Sequence, residues 1–277
     1  MQRAARSAVW ALPARFFRAG APVLAADKES LLQLRRRTGL PILQCRDALQ
    51  RCGGDLAQLS CETDFVARTT EFQRVVAQAA LGAMELCRRA PPAARACSQH
   101  FLQPEELAEL RTGPGGGPLS EELALAQGRL GEAVSLRHAA WLRVRPGAGF
   151  VSGYAHGGPA ADPGAGPVAL GTLGALVACG ARGVARGGAR GAALEALGRQ
   201  VAQHVVGFAP RRVGRARERR RGGKEEEEEE EALLAQEFLH APGRRVGRVL
   251  RALGPLCVTG FVRFRCGEEP TGDVTSR

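Results

Sequence analysis

Between residues 72 and 83, Phe72, Val75, Val76, Ala79, Ala80 and Ala83 recur in steps of three and four. Those steps share one helical face, which predicts an amphipathic helix over 70–88 capped by Thr69 or Thr70. Ser120 followed by Glu121 and Glu122 marks another helix start, running to about Leu130. The period then changes. Val134, Leu136, His138, Ala140, Leu142 and Val144 alternate with Ser135, Arg137, Ala139, Trp141 and Arg143, which predicts a strand. "GFVSGYAH" (149–156) and "VALGTLGALVAC" (168–179) predict two more strands, joined by Gly/Pro-rich turns into an antiparallel meander. Leu194, Leu197, Val201, His204, Val205 and Phe208 restore helical spacing over 191–208. Val246, Val249, Leu250 and Leu253 predict a short helix, and "CVTGFVRFRC" (257–266) a last strand before an acidic, polar tail.

Upstream, "DKESLLQLRRRTGL" predicts a helix with Leu31, Leu32 and Leu34, stopped at Gly39. "PILQCRDALQRCGG" predicts a second, with Pro41 near its first turn, Ile42, Cys45, Ala48 and Leu49 on one side, and Gly53-Gly54 as its end. "DLAQLS" then looks like the opening turn of a third. Residues 89–118 carry no clear period and end in "GPGGGP". The pattern gives an α+β chain: a helical module over 27–58 with a shortened third helix, a core subdomain over 59–130, and a second over 131–277.

Charge changes this picture at two places. Residues 1–26 hold Arg3, Arg6, Arg15 and Arg18 among Trp10, Leu12, Phe16 and Phe17, with no acidic residue. That is the composition of a mitochondrial targeting peptide. Over 211–231, eight basic residues precede the seven glutamates Glu225–Glu231, with Glu218 among them, so the block is neutral overall. It predicts a disordered charged insertion. The chain carries a net charge of +11, and stays basic without its first 26 residues. No apolar run is long enough to cross a bilayer, so no membrane is expected. The eight cysteines form no C-x-x-C and no metal-ligand spacing with histidine. A matrix location predicts free thiols, mostly packed as small hydrophobes.

Bond-making chemistry finds little support. The two lysines, Lys28 and Lys224, lie in no phosphate-binding loop. There is no H-E-x-x-H and no G-x-S-x-G, and no cofactor or metal is implied. The five histidines are scattered, and His138 and His204 read as structural. Basic charge raises RNA binding as a second class of function. Against it, the densest basic run contains no aromatic residue for stacking and lies beside seven glutamates. Nucleic acid is therefore not the expected partner.

One stretch stands apart. In "CETDFVARTTEF" (61–72), Asp64 and Phe65 sit side by side ahead of the 70–88 helix. From the pattern alone, Phe65 reads best as the first core residue of that helix. With "LRRRTGLPILQCRDALQRCGGDL" (34–56), "GRLGEAVSLRHAAW" (128–141), "YAHGG" (154–158), "QHVVGFAP" (203–210) and "VTGFVRFRCGEE" (258–269), however, it resembles translation elongation factor Ts in its mitochondrial form. These motifs occur in the family's order. The resemblance implies a ubiquitin-associated-like helical module followed by an α/β core with antiparallel sheet. It implies an exchange factor, not a bond-making enzyme, that forms a one-to-one complex with the GTPase elongation factor Tu in the mitochondrial matrix and binds no nucleotide itself. It places Asp64 and Phe65, flanked by Thr63 and Val66, beside the GTPase's magnesium site. It assigns partner contacts to Arg35, Ile42 and Leu43 in the helical module, to Val134 and His156 in the core, and, by a weaker match, to Leu239 and His240. Otherwise, Ile42 and Leu43 read as packing and Arg35 as a solvated charge.

The chain departs from this pattern between "GGDLAQ" and "LSCETDF", where the family has several dozen more residues. Their absence predicts a helical module without its third helix, core strands missing, and a strand into Asp64-Phe65 that lacks its pairing partner.

Overall fold

The computed structural model describes residues 7–13, 53–91, 95–112, 116–158, 168–181, 188–214, 231–253 and 256–274. The two expected helices of 27–52, with Arg35, Ile42 and Leu43, lie outside the described residues, as does most of the charged block. The strands are β1 (Ser7–Pro13), β2 (Gly53–Cys61), β3 (Cys97–Phe101), β4 (Ser135–Val144), β5 (Gly149–His156), β6 (Val168–Gly171), β7 (Leu173–Ala181), β8 (Leu256–Arg265) and β9 (Thr271–Val274). The helices are α1 (Asp64–Ala67), α2 (Thr70–Arg89), α3 (Pro104–Ala108), α4 (Leu119–Leu130), α5 (Gly188–Phe208) and α6 (Val246–Leu253). The α+β class expected from the pattern is the class observed.

Two antiparallel sheets, in the orders β3-β4-β2-β1-β6 and β5-β7-β8-β9, pack face to face. Leu56, Ala140, Leu142 and Val144 of the first meet Leu176, Ala178, Val262 and Phe264 of the second. Helices α2 and α4 cover the outer face of the first sheet through Phe72, Val75, Val76, Ala79 and Leu119, which pack on Ala57, Leu59 and Ala139. Helices α5 and α6 cover the outer face of the second through Leu197, Val201, Val205, Val249 and Leu250, against Phe150, Val177 and Phe261. Each fully buried Leu, Val or Phe contributes about 1.5–3 kcal/mol. Helix α5 comes close enough to β5 that a Cβ on Gly198 would collide with the Ser152 hydroxyl.

Strand β2 corrects the sequence reading. "DLAQLS" does not open a third helix; it runs through the middle of the first sheet, bonded to β4 on one side and β1 on the other. The strand into Asp64-Phe65 therefore has partners, contrary to expectation. The misreading has a physical cause. Both sheet faces are covered, so Leu56 faces the second sheet while Ala57 and Leu59 face the helices, and no apolar/polar alternation survives. The strand carries a cost in Asp55, which is 0% exposed with neither carboxylate oxygen hydrogen-bonded among the described residues. Strand β1 lies within the expected targeting segment and pairs with both β2 and β6.

Other differences are local. In β4, Gln58 faces His138 and Leu59 faces Leu136, so Arg137 is an inserted bulge residue. The bulge sends Leu136 to the helix side with Trp141, while His138 packs edge-on against Phe264 of the other sheet. The single run expected at 168–179 breaks at Thr172 into β6 and β7, which belong to different sheets. The loose 89–118 stretch holds β3 and α3, and the polar tail holds β9. No disulfide joins two described cysteines, and Cys61, Cys87, Cys97 and Cys179 are buried.

Candidate partner-docking site

Strand β2 ends at Cys61, and two residues later Thr63 becomes the N-cap of the single-turn helix α1. Its Oγ1 accepts the Val66 N–H at 3.3 Å, as a capping threonine should. The turn is closed at its far end by Thr69. That hydroxyl donates to the Val66 carbonyl at 2.7 Å and accepts the Phe72 N–H at 3.3 Å, so one side chain ends α1 and caps α2. Val66 and Ala67 face the core, 4% and 7% exposed. Helical residues advance about 100° each. Burying Val66 and Ala67 thus turns Asp64 and Phe65 outward.

Phe65 is 80% exposed, against the pattern-based expectation that it opens the core of the next helix. The core residue of that helix is Phe72, which is fully buried. An exposed aromatic ring on a turn bounded by two threonine caps is a rigidly presented apolar anchor with an acidic neighbour. Such a ring loses little conformational entropy when another protein covers it.

The base of the turn is held from just past the end of α4. Glu132 accepts the Thr63 N–H at 3.0 Å and the Thr63 hydroxyl at 2.7 Å, one on each carboxylate oxygen. Glu71 in the first turn of α2 pairs with Arg74 at 3.0 Å and with Arg129 of α4 at 2.7 Å, and Arg74 also reaches Glu122 at 2.9 Å. The Arg74 hydrogen bond chiefly holds the Glu71 carboxyl below its usual range. The Cys61 thiol under the turn is pushed up to about 11, first by burial and then by the Glu132 charge. It is a packed thiol, not a nucleophile.

Not all expected site residues share this surface. Val134 is 2% exposed and, like Val66, points into the core; each supports the turn from within. His156 ends β5, exposed, with Nδ1 3.1 Å from the Tyr154 hydroxyl and its carbonyl accepting the Thr172 N–H at 2.7 Å. Leu239 and His240 lie in the segment beside α5. Leu239 is 47% exposed and its N–H donates to His204 Nδ1 at 3.3 Å; the His240 ring stands edge-on to Phe238 at 5.5 Å. His204 is the structural histidine the pattern suggested, fully buried, stacked on Phe208 and bonded to Gln236 at 3.0 Å. Glu132 was not singled out from the sequence. It stands inside the quoted "GRLGEAVSLRHAAW", but its spacing to Thr63 carries no signal.

The Thr63–Thr69 turn thus stands on a two-sheet α+β core and presents Phe65 to solvent. The comparisons with known proteins give the family. The family model for Elongation factor TS matches residues 62–228. "Elongation factor Ts, mitochondrial" of Rattus norvegicus is 36% identical, covering 88% of this chain and 85% of its own length. The Homo sapiens protein of that name is 35% identical over 88% and 84%, and the Xenopus laevis one 33% identical over 93% and 92%. The chain belongs to the elongation factor Ts family, translation elongation factors whose relatives here are mitochondrial.

Proposed function

We propose that this chain is a guanine nucleotide exchange factor for mitochondrial elongation factor Tu, acting in the matrix as a one-to-one complex. It makes and breaks no covalent bond and binds no nucleotide itself. The observation that carries the reading is the 80% exposed Phe65 beside Asp64 on a turn fixed at both ends.

An exchange factor works by preferring the nucleotide-free state of its partner. By reciprocity, bound nucleotide weakens the factor's own binding by the same ratio. A ten-thousand-fold shift needs about 5.5 kcal/mol of differential affinity. Burying Phe65 supplies about 1.5–3 kcal/mol. Phe65 therefore acts as a wedge that displaces a segment holding magnesium and phosphate, and loss of the ion's bridge supplies much of the rest. Asp64 accepts hydrogen bonds from the displaced segment. Arg35, Ile42 and Leu43, His156 at the end of β5, and Leu239 with His240 serve as anchors that aim the wedge, while Val134 supports it from beneath.

The test is release of a fluorescent guanine nucleotide from mitochondrial elongation factor Tu. Acceleration by this chain, cut roughly 10–100-fold in Phe65→Ala, is the expected result. No acceleration by the unaltered chain overturns the reading.

A further inference from the structure

We infer that Glu132 is the positioning residue of the Asp64-Phe65 turn, a clamp that fixes the direction of the wedge without touching the partner. The inference rests on the exchange-factor reading for its functional consequence, but its structural content stands on the turn itself.

Helix α1 has four residues, too few to hold a helical turn by its own hydrogen bonds. Its geometry must come from outside, and Thr63 is where it enters. The Thr63 hydroxyl has one proton and two lone pairs. Glu132 Oε1 takes the proton at 2.7 Å, which leaves a lone pair for the Val66 N–H at 3.3 Å. Glu132 Oε2 takes the Thr63 backbone N–H at 3.0 Å. A single carboxylate thus fixes both the backbone and the rotamer of the residue before Asp64. Each bond has its own charged acceptor oxygen; a glutamine would accept the N–H through its one oxygen and meet the hydroxyl by donating from its NH2, without the carboxylate charge, so its hold is weaker.

Glu132 is itself held firmly. Gly131 ends α4 in the left-handed region, φ 69°, with its N–H on the Gln127 carbonyl at 2.9 Å. A side chain there would be strained. On the other side, Val134 is buried and its carbonyl accepts Gln127 Nε2 at 2.6 Å. Three residues upstream, Arg129 pairs with Glu71, which follows Thr69 closely at the other end of the turn. The two ends of the turn are thereby tied to the last turn of α4 and to the residue just past its cap. Glu132 is 69 residues from Thr63 in sequence and stands just past the 130/131 boundary expected between the subdomains, so the clamp also joins those two parts of the chain.

The experiment uses the full chain and its Glu132→Ala, Glu132→Gln and Thr63→Ser variants. Amide hydrogen exchange reads the clamp without the partner. Exchange at Thr63 and Val66 speeds up at least tenfold in Glu132→Ala and less in Glu132→Gln, stays slow in Thr63→Ser, and is unchanged at Val75–Ala80 of α2. Nucleotide release from elongation factor Tu reads the consequence. In Glu132→Ala the maximal rate falls roughly tenfold while the half-saturating concentration moves less than about twofold, because the anchors are untouched. Thr63→Ala costs less on top of Glu132→Ala than it does alone, since the Thr63 hydroxyl–Glu132 bond is common to both and only the Val66 cap is lost in addition. Unchanged exchange at Thr63 and Val66 in Glu132→Ala overturns the clamp. Faster amide exchange with an unaltered maximal release rate overturns its positioning role. If the unaltered chain releases no nucleotide, the exchange-factor reading and the positioning role built on it both fail, and the amide data alone decide whether Glu132 holds the turn.

Discussion

Phe65 and Val66 are neighbours in one helical turn, yet Phe65 is 80% exposed and Val66 only 4%. Burial of the second aims the first. Their truncations therefore separate. Phe65→Ala leaves thermal stability within about 0.5 kcal/mol, the range of surface substitutions, and slows partner nucleotide release roughly 10–100-fold, the worth of about 1.5–3 kcal/mol of lost burial. Val66→Ala lowers stability by about 1–3 kcal/mol through a cavity under the turn. Melting curves and release rates on the two variants check this, and equal effects on both quantities would contradict the geometry.

Asp55 makes stability depend on pH in an unusual direction. Burial pushes its carboxyl well above the ordinary carboxylate range, with the Arg88 charge opposing. The unfolded chain therefore binds fewer protons than the folded one across that interval. Stability falls as pH rises from about 3.8 towards the raised folded value, and the penalty is fully present above it. Asp55→Ala removes an unpaired buried group and raises stability at neutral pH by about 1–3 kcal/mol. The check is the melting-temperature difference between variant and parent across pH; it should shrink towards acid.

His204 has the opposite slope. Burial holds its ring down to about 4, with the Gln236 hydrogen bond working against burial and the His240 charge adding to it. The folded state keeps the ring neutral where the unfolded chain protonates it. This stability is complete above about 6.5 and is lost as pH falls towards about 4. His204→Ala costs about 1–3 kcal/mol at neutral pH, because the Leu239 N–H loses its His204 acceptor and the His204–Gln236 bond goes, and it flattens the profile between these two values. Subtracting each variant's profile from that of the parent separates His204 from Asp55.

Arg143 fastens the end of α2. Its guanidinium donates to the carbonyls of Cys87 at 3.0 Å, Ala90 at 2.9 Å and Pro91, and lies over the Trp141 ring at 5.5 Å. It satisfies helix-end acceptors with a charge suited to that end of the dipole. Arg143→Lys cannot span three carbonyls, and is expected to lose about 1–2 kcal/mol. Amide exchange of the last α2 turn should accelerate in this variant while that of Val75 does not.

The residues legible in the sequence were those whose burial is one-sided. Helix α2 has a polar face and an apolar face, so Phe72 through Ala83 announced it, and α5 and α6 followed for the same reason. Thr69 was readable as a cap because capping is local. Strand β2 was not legible, since a strand covered on both faces shows no alternation and its identity came from β1 and β4 beside it. The bulge at Arg137 and the break at Thr172 depend on what the neighbouring strands do. The candidate site divides the same way. The sequence by itself determined that Thr63, Asp64 and Phe65 stand together ahead of a helix, because that is a matter of adjacency. Only the tertiary structure decided that Phe65 points out and that Glu132 reaches back to hold Thr63, because both follow from packing between segments far apart in the chain.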